Sequence, residues 1–244
     1  MGARQSLIAL FGSMVLTAPS VAGDIAALNV LGFSDDGATF AFEEYGVQDG
    51  SGFPYANRFY IDTASDSFMP GSPIRVRLDD ENATLEDARV QAKLSGEAIV
   101  PDGSLVPGSQ AGWNPITELS ADPARMVVNP RPVFPPVDAP LEIRLEEVFF
   151  PVLENCQDIS ERDVGFRLLS VDASAGGRTT ILHEDHSVPA SRGCPIGYRF
   201  GGVQTYISHR GPSVIAVLIA IESFGFEGPD FRWMAVTKNF ADRP

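Results

Sequence analysis

From residue 23 onward, the chain consists of short apolar runs in which hydrophobic and polar positions alternate, separated by turns rich in glycine, proline and aspartate. A period of two is typical of β-strands that bury one face. The first four runs follow one another closely, which predicts an antiparallel meander, because short connections join antiparallel neighbours. They cover residues 25–32, 39–45, 57–62 and 74–78.

One segment has the period of a helix instead. Between residues 83 and 99, apolar side chains recur at helical spacing among charged ones. Thr84 and Asp87 have the spacing of a capping box, in which each residue binds the backbone amide of the other. Gly96 ends the pattern. We therefore predict one helix, over about residues 82–97.

A stretch rich in proline and glycine, residues 101–140, follows this helix and contains one short predicted strand at 125–129. Strand patterns then resume, and Gly176 and Gly177 predict a hairpin turn between two of the strands. The later strands cover residues 141–149, 164–172, 178–184, 196–208, 213–223 and 231–238.

These elements predict a mainly β fold with two antiparallel, blade-like meander sheets packed together and the one helix at about 82–97. An incomplete or small β-propeller is the alternative, although a propeller needs about sixteen strands and the pattern supplies about ten or eleven. We expect a single β-rich domain over residues 23–244. Its parts would be a first meander at about 25–78, a helix and connection at about 82–140, and a second meander at about 141–238.

Two strand-loop-strand units of this chain resemble each other. The first, from Phe33, reads FSDDGATFAFEEYGVQDGSGFPYANRFYIDT, and the second, from Pro212, reads PSVIAVLIAIESFGFEGPDFRWMAVT. Each has a strand that ends in a glutamate, Glu44 or Glu222, shortly before an aromatic-glycine pair and a loop. The repetition predicts two related hairpins.

The N-terminal segment has the features of a secretory signal peptide, residues 1–22. Arg4 supplies a positive charge, residues 7–16 an apolar core, and Ser20-Val21-Ala22 a small-residue cleavage site. A buried N-terminal helix is the alternative. The longest later apolar run, residues 214–221, is of strand length, so we expect no membrane span after the signal is removed.

The net charge and the cysteine content limit the possible partners and indicate the redox state of the cysteines. The net charge of −14 opposes binding to phosphate backbones, so we expect no nucleic-acid partner. In an oxidising compartment the two cysteines, Cys156 and Cys194, predict one disulfide. A free catalytic thiol is the alternative, although neither cysteine lies in a recognisable nucleophile motif.

The first unit resembles the opening of a bacterial family of predicted secreted proteins, domain of unknown function 2259. CPIGYRFGGVQTY from Cys194 and SFGFEGPDFRWMAVT from Ser223 extend the resemblance over nearly the whole chain after residue 22. The resemblance implies export and a compact domain, and it implies no reaction. The fragment FSDDG…FAF from Phe33 is also similar to a propeller blade of periplasmic TolB-like proteins.

The glutamates of the two units are the candidate catalytic residues. Adjacent strand residues point to opposite faces, so only one of Glu43 and Glu44 can face a given cleft. If the two hairpins approach each other, Glu44 and Glu222 could act as an acid/base pair, as in glycoside hydrolysis. The alternative is that each glutamate binds loop amides in its own hairpin.

The candidate metal ligands are His183 and His186, since two imidazoles beside carboxylates suit Zn²⁺, Cu²⁺ or Ni²⁺. A solvated hairpin end is the alternative. Oxygen ligands for Ca²⁺ could come from Asp49, Glu227 and Asp230, although ordinary polar turns explain these residues as well. We predict no bound cofactor.

Export, blade-like hairpins and the lack of a nucleophile elbow or phosphate loop in the sequence favour a non-enzymatic binding or envelope-interaction module, periplasmic or secreted. Its partner would be an envelope protein or a glycan. The alternative is a carboxylate-dependent hydrolase that acts on envelope glycans, which rests on Glu44 and Glu222.

Overall fold

The computed structural model describes residues 23–172 and 176–240, with the side chains up to residue 239. The predicted signal peptide lies outside the described residues. The helix α1 spans Leu85–Gly96, and short 3₁₀ helices span Asp102–Ser104, Glu154–Cys156 and Ala190–Arg192. The strands are β1 (Ala27–Ser34), β2 (Thr39–Val47), β3 (Pro54–Asp62), β4 (Ser67–Phe68), β5 (Ile74–Arg77), β6 (Leu105–Val106), β7 (Ser109–Trp113), β8 (Arg125–Val128), β9 (Leu141–Pro151), β10 (Arg162–Val171), β11 (Thr179–Glu184), β12 (Pro195–Tyr206), β13 (Ser213–Ser223) and β14 (Asp230–Phe240).

The strands form three antiparallel sheets. The N-terminal sheet has the order β4-β3-β2-β1-β6, with β5 also paired to β3. The central sheet has the order β14-β13-β12-β7, and the β8–β11 sheet has the order β11-β10-β9-β8. Most connections are short hairpins between sequence neighbours, as the alternating pattern predicts.

The central sheet lies between the other two because β13 is apolar on both faces. Along SVIAVLIAIES, the residues from Ser213 to Ile221 are all buried. Ile215, Val217, Ile219 and Ile221 pack in one core with residues of the β8–β11 sheet. Val214, Ala216, Leu218 and Ala220 pack in a second core with residues of the N-terminal sheet. The result is three stacked β layers.

The side-chain sizes on β13 differ between its two faces. The face toward the N-terminal sheet carries the small residues Ala216 and Ala220, which leave room for large rings. Phe42 stacks on Phe59 with ring centroids 4.5 Å apart. Aromatic rings of the first unit therefore fill the space above the alanines of the second unit.

Helix α1 covers the outer face of the N-terminal sheet. Thr84 accepts a hydrogen bond from the Asp87 amide, and the Asp87 carboxylate binds the Thr84 amide, so the predicted capping box is present. Ala88 and Ala92 pack on that sheet in a small third core. Glu43, which is 1 % exposed, binds Arg89 of the helix at 3.0 Å. The prediction of one helix is confirmed, with ends slightly inside the predicted ones.

The two cysteines form the predicted disulfide, with 5.6 Å between the Cα atoms of Cys156 and Cys194. Cys156 is fully buried at the end of a 3₁₀ helix that follows β9, and Cys194 precedes β12. The bond therefore joins the β8–β11 sheet to the central sheet.

The predicted mainly β class, with one helix and packed antiparallel meander sheets, is confirmed. The second meander divides into two sheets rather than one, since residues 125–184 and 195–240 pair among themselves and not with each other. The pattern also missed β7, whose sequence SQAGW does not alternate cleanly and which pairs with β12 across a long sequence separation.

Candidate functional site

A cleft of about 420 Å³ lies where the free edge of the central sheet meets the other two sheets. Its floor is the edge strand β14, from Trp233 to Val236. One wall comes from β3, β4 and β5 of the N-terminal sheet. The other comes from β11 and the loop at residues 189–192. The cleft exists because β14 is a sheet edge that neither neighbouring sheet fully covers.

Glu44 lies at the bottom of this cleft and joins two of the sheets. It is 1 % exposed and accepts hydrogen bonds from Asn57 Nδ2 at 2.8 Å and from the Trp233 backbone amide at 2.6 Å. Burial raises the pKa of Glu44 above its usual range, although both hydrogen bonds and the charges of Arg232 and Arg75 oppose the rise. Glu44 on β2 of the first unit thus binds a backbone amide of the edge strand β14 in the second unit.

Glu222 is not among the residues that line the cleft. A Cβ atom on Gly197 would lie 3.3 Å from Glu222 Oε2 and 3.4 Å from Glu147 Oε1, so the Glu222 side chain lies beside β9 and β12. The structure therefore does not place Glu44 and Glu222 in one cleft. Their role as an acid/base pair stays a prediction that this geometry does not support.

Asp66 forms a second link to the floor strand. It lies in the turn between β3 and β4, with a left-handed φ of 50°, and it accepts hydrogen bonds from the Thr237 amide at 2.7 Å and the Thr237 hydroxyl at 2.9 Å. Its other oxygen lies 3.8 Å from His183 Nδ1 of β11. All three sheets therefore meet through side chains at the cleft.

His183 is held between two carboxylates. Its Nε2 lies 3.0 Å from Asp185 Oδ1, and its ring stacks on Phe166 with centroids 4.8 Å apart. Burial opposes a charge on the ring, but the hydrogen bond to Asp185 and the nearby Asp66 carboxylate outweigh it and raise the pKa of His183 to about 9. His183 is thus a cation at neutral pH.

His186 is exposed and is not among the residues that line the cleft. Among residues 23–172 and 176–240, no group of three or more histidine, cysteine, aspartate or glutamate side chains is arranged to hold a metal ion. The loop acids proposed for Ca²⁺ bind backbone amides: Asp49 Oδ2 accepts from Glu227 at 2.9 Å, and Asp230 Oδ1 accepts from Asp24 at 2.8 Å.

Three arginines also line the cleft, and two of them are paired. Arg192 binds Asp185 at 2.5 Å, and Arg232 binds Asp24 at 2.5 Å. Arg75 is exposed on β5, with its guanidinium 5.6 Å from the centroid of the Phe59 ring. Within the described part of the chain, the side chain of Arg75 has no hydrogen bond or ion pair. The cleft therefore presents one exposed guanidinium that makes no direct ion pair among the described residues, although its charge also acts on Glu44.

The ion pair of His183 predicts a pH dependence of stability. A histidine whose pKa rises on folding stabilises the fold fully below about pH 6.5 and loses that effect as the pH rises through about 9. Because water reaches 25 % of its side chain and screens the pair, we expect a loss of about 1–2 kcal/mol across this window. Urea unfolding at a series of pH values measures the slope.

The variant His183→Gln should flatten this pH profile. His209→Gln changes an exposed histidine between β12 and β13 and serves as the control, which should keep the slope. A slope that persists in His183→Gln and disappears in His209→Gln would contradict the assignment.

Comparison with known protein families gives one match. The model of the family described as predicted secreted protein, domain of unknown function 2259, matches residues 41–239. The chain belongs to this family. The match covers all the residues that line the cleft, the second hairpin unit and most of the first. It assigns a secreted protein and no activity. Comparisons with curated proteins and with solved structures find no match.

Membership of a secreted family agrees with the predicted export and with the disulfide. In the described ranges, which begin at residue 23 and omit 173–175 and 241–244, no helix has the length and apolar character required to cross a bilayer.

The sequence pointed to Glu44 and His183 in the cleft but missed Asp66 and Arg75. Asp66 follows a strand in an ordinary polar turn, and Arg75 alternates with apolar residues as an outward-facing strand residue would. No local signal distinguishes either from a surface residue, because their neighbours in the cleft come from distant parts of the chain.

Proposed function

We propose that this secreted protein is a non-enzymatic binding module that acts in the periplasm or outside the cell and holds an envelope partner in the cleft beside β14. The observation that carries the proposal is the composition of this cleft. Apolar walls from Phe68, Ile221 and Pro189 surround a strand edge and Arg75, whose side chain makes no ion pair within the described residues. Ligand sites combine apolar lining with a few polar groups in this way.

Binding explains the polar groups better than catalysis does. Both oxygens of Glu44 accept hydrogen bonds, from Asn57 and Trp233, and these bonds join two sheets. Asp66 binds Thr237 in the same manner. These carboxylates form hydrogen bonds that hold the sheets together at the cleft. Arg75 and the edge of β14 are the polar groups available to a ligand.

Blocking the cleft tests the proposal. Ser67 is exposed on β4 and lines the cleft, so Ser67→Trp fills it without disturbing a core. Ala121→Trp adds the same bulk at an exposed position outside the cleft. Each protein is screened by affinity selection and mass spectrometry against a synthetic hexapeptide library and a library of soluble oligosaccharides.

We expect the wild-type protein and Ala121→Trp to retain a common set of compounds that Ser67→Trp does not retain. Retention of the same compounds by Ser67→Trp, or retention of none by the wild-type protein, would contradict the proposal. Circular dichroism and thermal unfolding of all three proteins check that the fold is unchanged.

A further inference from the structure

We infer that the ligand of this cleft is a short, extended peptide segment with a carboxylate group, which adds to the free edge of β14. The inference rests on the proposed binding function and names the class of ligand. It follows from three features of the cleft: the pattern of occupied backbone groups on β14, the apolar walls, and Arg75.

Between Phe231 and Thr237, the amide of Ala235 is the one outward-facing amide of β14 that has no partner among the described residues. β14 pairs with β13 without a register shift, so its N–H and C=O groups point away from β13 at every second residue. The Phe231 amide donates to the Asp24 carbonyl and its own carbonyl accepts from Ala26, while the Trp233 and Thr237 amides donate to Glu44 and Asp66. Because every second residue of β14 faces outward, the backbone N–H and C=O groups of Ala235 also point away from β13.

Ala235 has no hydrogen bond on this outward side within the described residues, and it lines the cleft. An antiparallel ligand residue opposite Ala235 would donate one hydrogen bond and accept another, as in β-strand addition. The amides of Trp233 and Thr237 lie about 13 Å apart along an extended strand. Side chains occupy both ends of this interval, so the site fits a short segment rather than a long strand.

The walls suit alternating side chains of such a segment. Phe59, Ile61 and Phe68 lie on the side of the N-terminal sheet, and Pro189 and Ile221 lie on the opposite side. Successive residues of an extended peptide point to opposite sides, so each wall would receive every second side chain. Of the two aromatic rings in this wall, Phe59 is 4 % exposed, with Phe42 stacked on it, and Phe68 is 46 % exposed. The free backbone position at Ala235, rather than the walls, is therefore what favours a peptide over a sugar.

Arg75 gives the cleft a preference for a negatively charged ligand. A guanidinium binds a carboxylate through two parallel hydrogen bonds, and Arg75 is the cleft arginine without such a partner in the described part of the chain. His183 does not compete for the ligand, since Asp66 and Asp185 flank its ring. The carboxylate could be the C-terminus of the peptide or the side chain of an aspartate or glutamate.

Synthetic hexapeptides distinguish these sources. N-acetylated hexapeptides of mixed apolar sequence are made with a C-terminal carboxylate or a C-terminal amide, each with and without one internal glutamate. Affinities are measured by fluorescence polarisation for the wild-type protein, Arg75→Ala and Arg77→Ala. Arg77 is the control, since it lies two residues away on β5 and pairs with Asp79 outside the cleft.

We expect Arg75→Ala to weaken binding of the carboxylate peptides about tenfold or more, and Arg77→Ala to change it less than about twofold. Preference for the free acid over the amide assigns the C-terminus as the source, and preference for the internal glutamate assigns the side chain. Equal binding of peptides with and without any carboxylate would overturn the charge preference.

The backbone contact has its own test. Ala235→Pro removes the outward amide and leaves the pairing with β13, since proline is tolerated on sheet edges where its nitrogen faces away from the neighbouring strand. We expect at least a tenfold loss of peptide affinity with an unchanged midpoint of thermal unfolding. If this variant unfolds, the Ala235 amide resonance of the wild-type protein decides, since it should shift on peptide titration.

The outcomes separate this inference from the proposed function. Oligosaccharides that bind the wild-type protein and not Ser67→Trp, with no peptide bound, would overturn the inference and leave the binding function in place. An Ala235 resonance that does not move while peptides bind would overturn strand addition. Failure of both libraries to bind would overturn the inference and the proposed function together.

Discussion

Replacement of Leu218 or Ile219 by alanine should lower the free energy of unfolding by about 2–5 kcal/mol in each case. The two residues are adjacent on β13 and point to opposite faces, and both are fully buried. Leu218 packs against the N-terminal sheet and Ile219 against the β8–β11 sheet. Each substitution removes apolar contacts and leaves a cavity in a different core, so both should be costly.

Chemical denaturation of the two variants measures the losses. Ile181→Ala is the control, because Ile181 on β11 is 52 % exposed and its truncation should cost less than about 0.5 kcal/mol. If only one of Leu218→Ala and Ile219→Ala destabilises the protein, β13 has only one buried face, and the three-layer arrangement would be wrong.

Replacement of Glu44 by alanine should cost about 2–3 kcal/mol, because it leaves the Trp233 amide and the Asn57 side chain without their acceptor in a buried site. Removal of a buried carboxylate also relieves its desolvation, which limits the loss. The cost should appear as a lower midpoint of urea unfolding.

Glu222→Ala is the matched control, since Glu222 has the corresponding place in the second unit but is only half-buried, and its side chain has no hydrogen bond among the described residues. Its truncation should change the free energy of unfolding by less than about 0.5 kcal/mol. Equal losses for the two variants would show that the link from Glu44 to Trp233 does not stabilise the packing of the sheets.

Most of the strands could be predicted from the sequence because their signals are local. Alternation, Gly-rich turns and the capping box of Thr84 and Asp87 depend on neighbours within a few residues. The strands β6 and β7, which the pattern missed, are held by partners far along the chain. The sequence SQAGW becomes a strand because β12 pairs with it.

The candidate site likewise combines residues that local sequence indicates with partners that only the fold brings close. The repeat indicates Glu44 through its counterpart Glu222, and the neighbouring His186 and carboxylates indicate His183. Their long-range partners across the sheets are Trp233 and Asp66, which no spacing in the sequence relates to them. A cleft composed of three sheets has no continuous sequence signature.

The repeat of two glutamate-ended hairpins by itself determines much of the local structure of this protein. It specifies the turns, the strand lengths and the doubly apolar run of β13, because these depend on backbone conformation and on side-chain alternation. Packing decided the roles of the glutamates. Glu44 faces the central sheet, where it binds a backbone amide of the other hairpin, whereas Glu222 lies beside Gly197 and Glu147. Which sheets stack, and which edge of β14 stays open at Ala235, follow from long-range burial that local sequence does not encode.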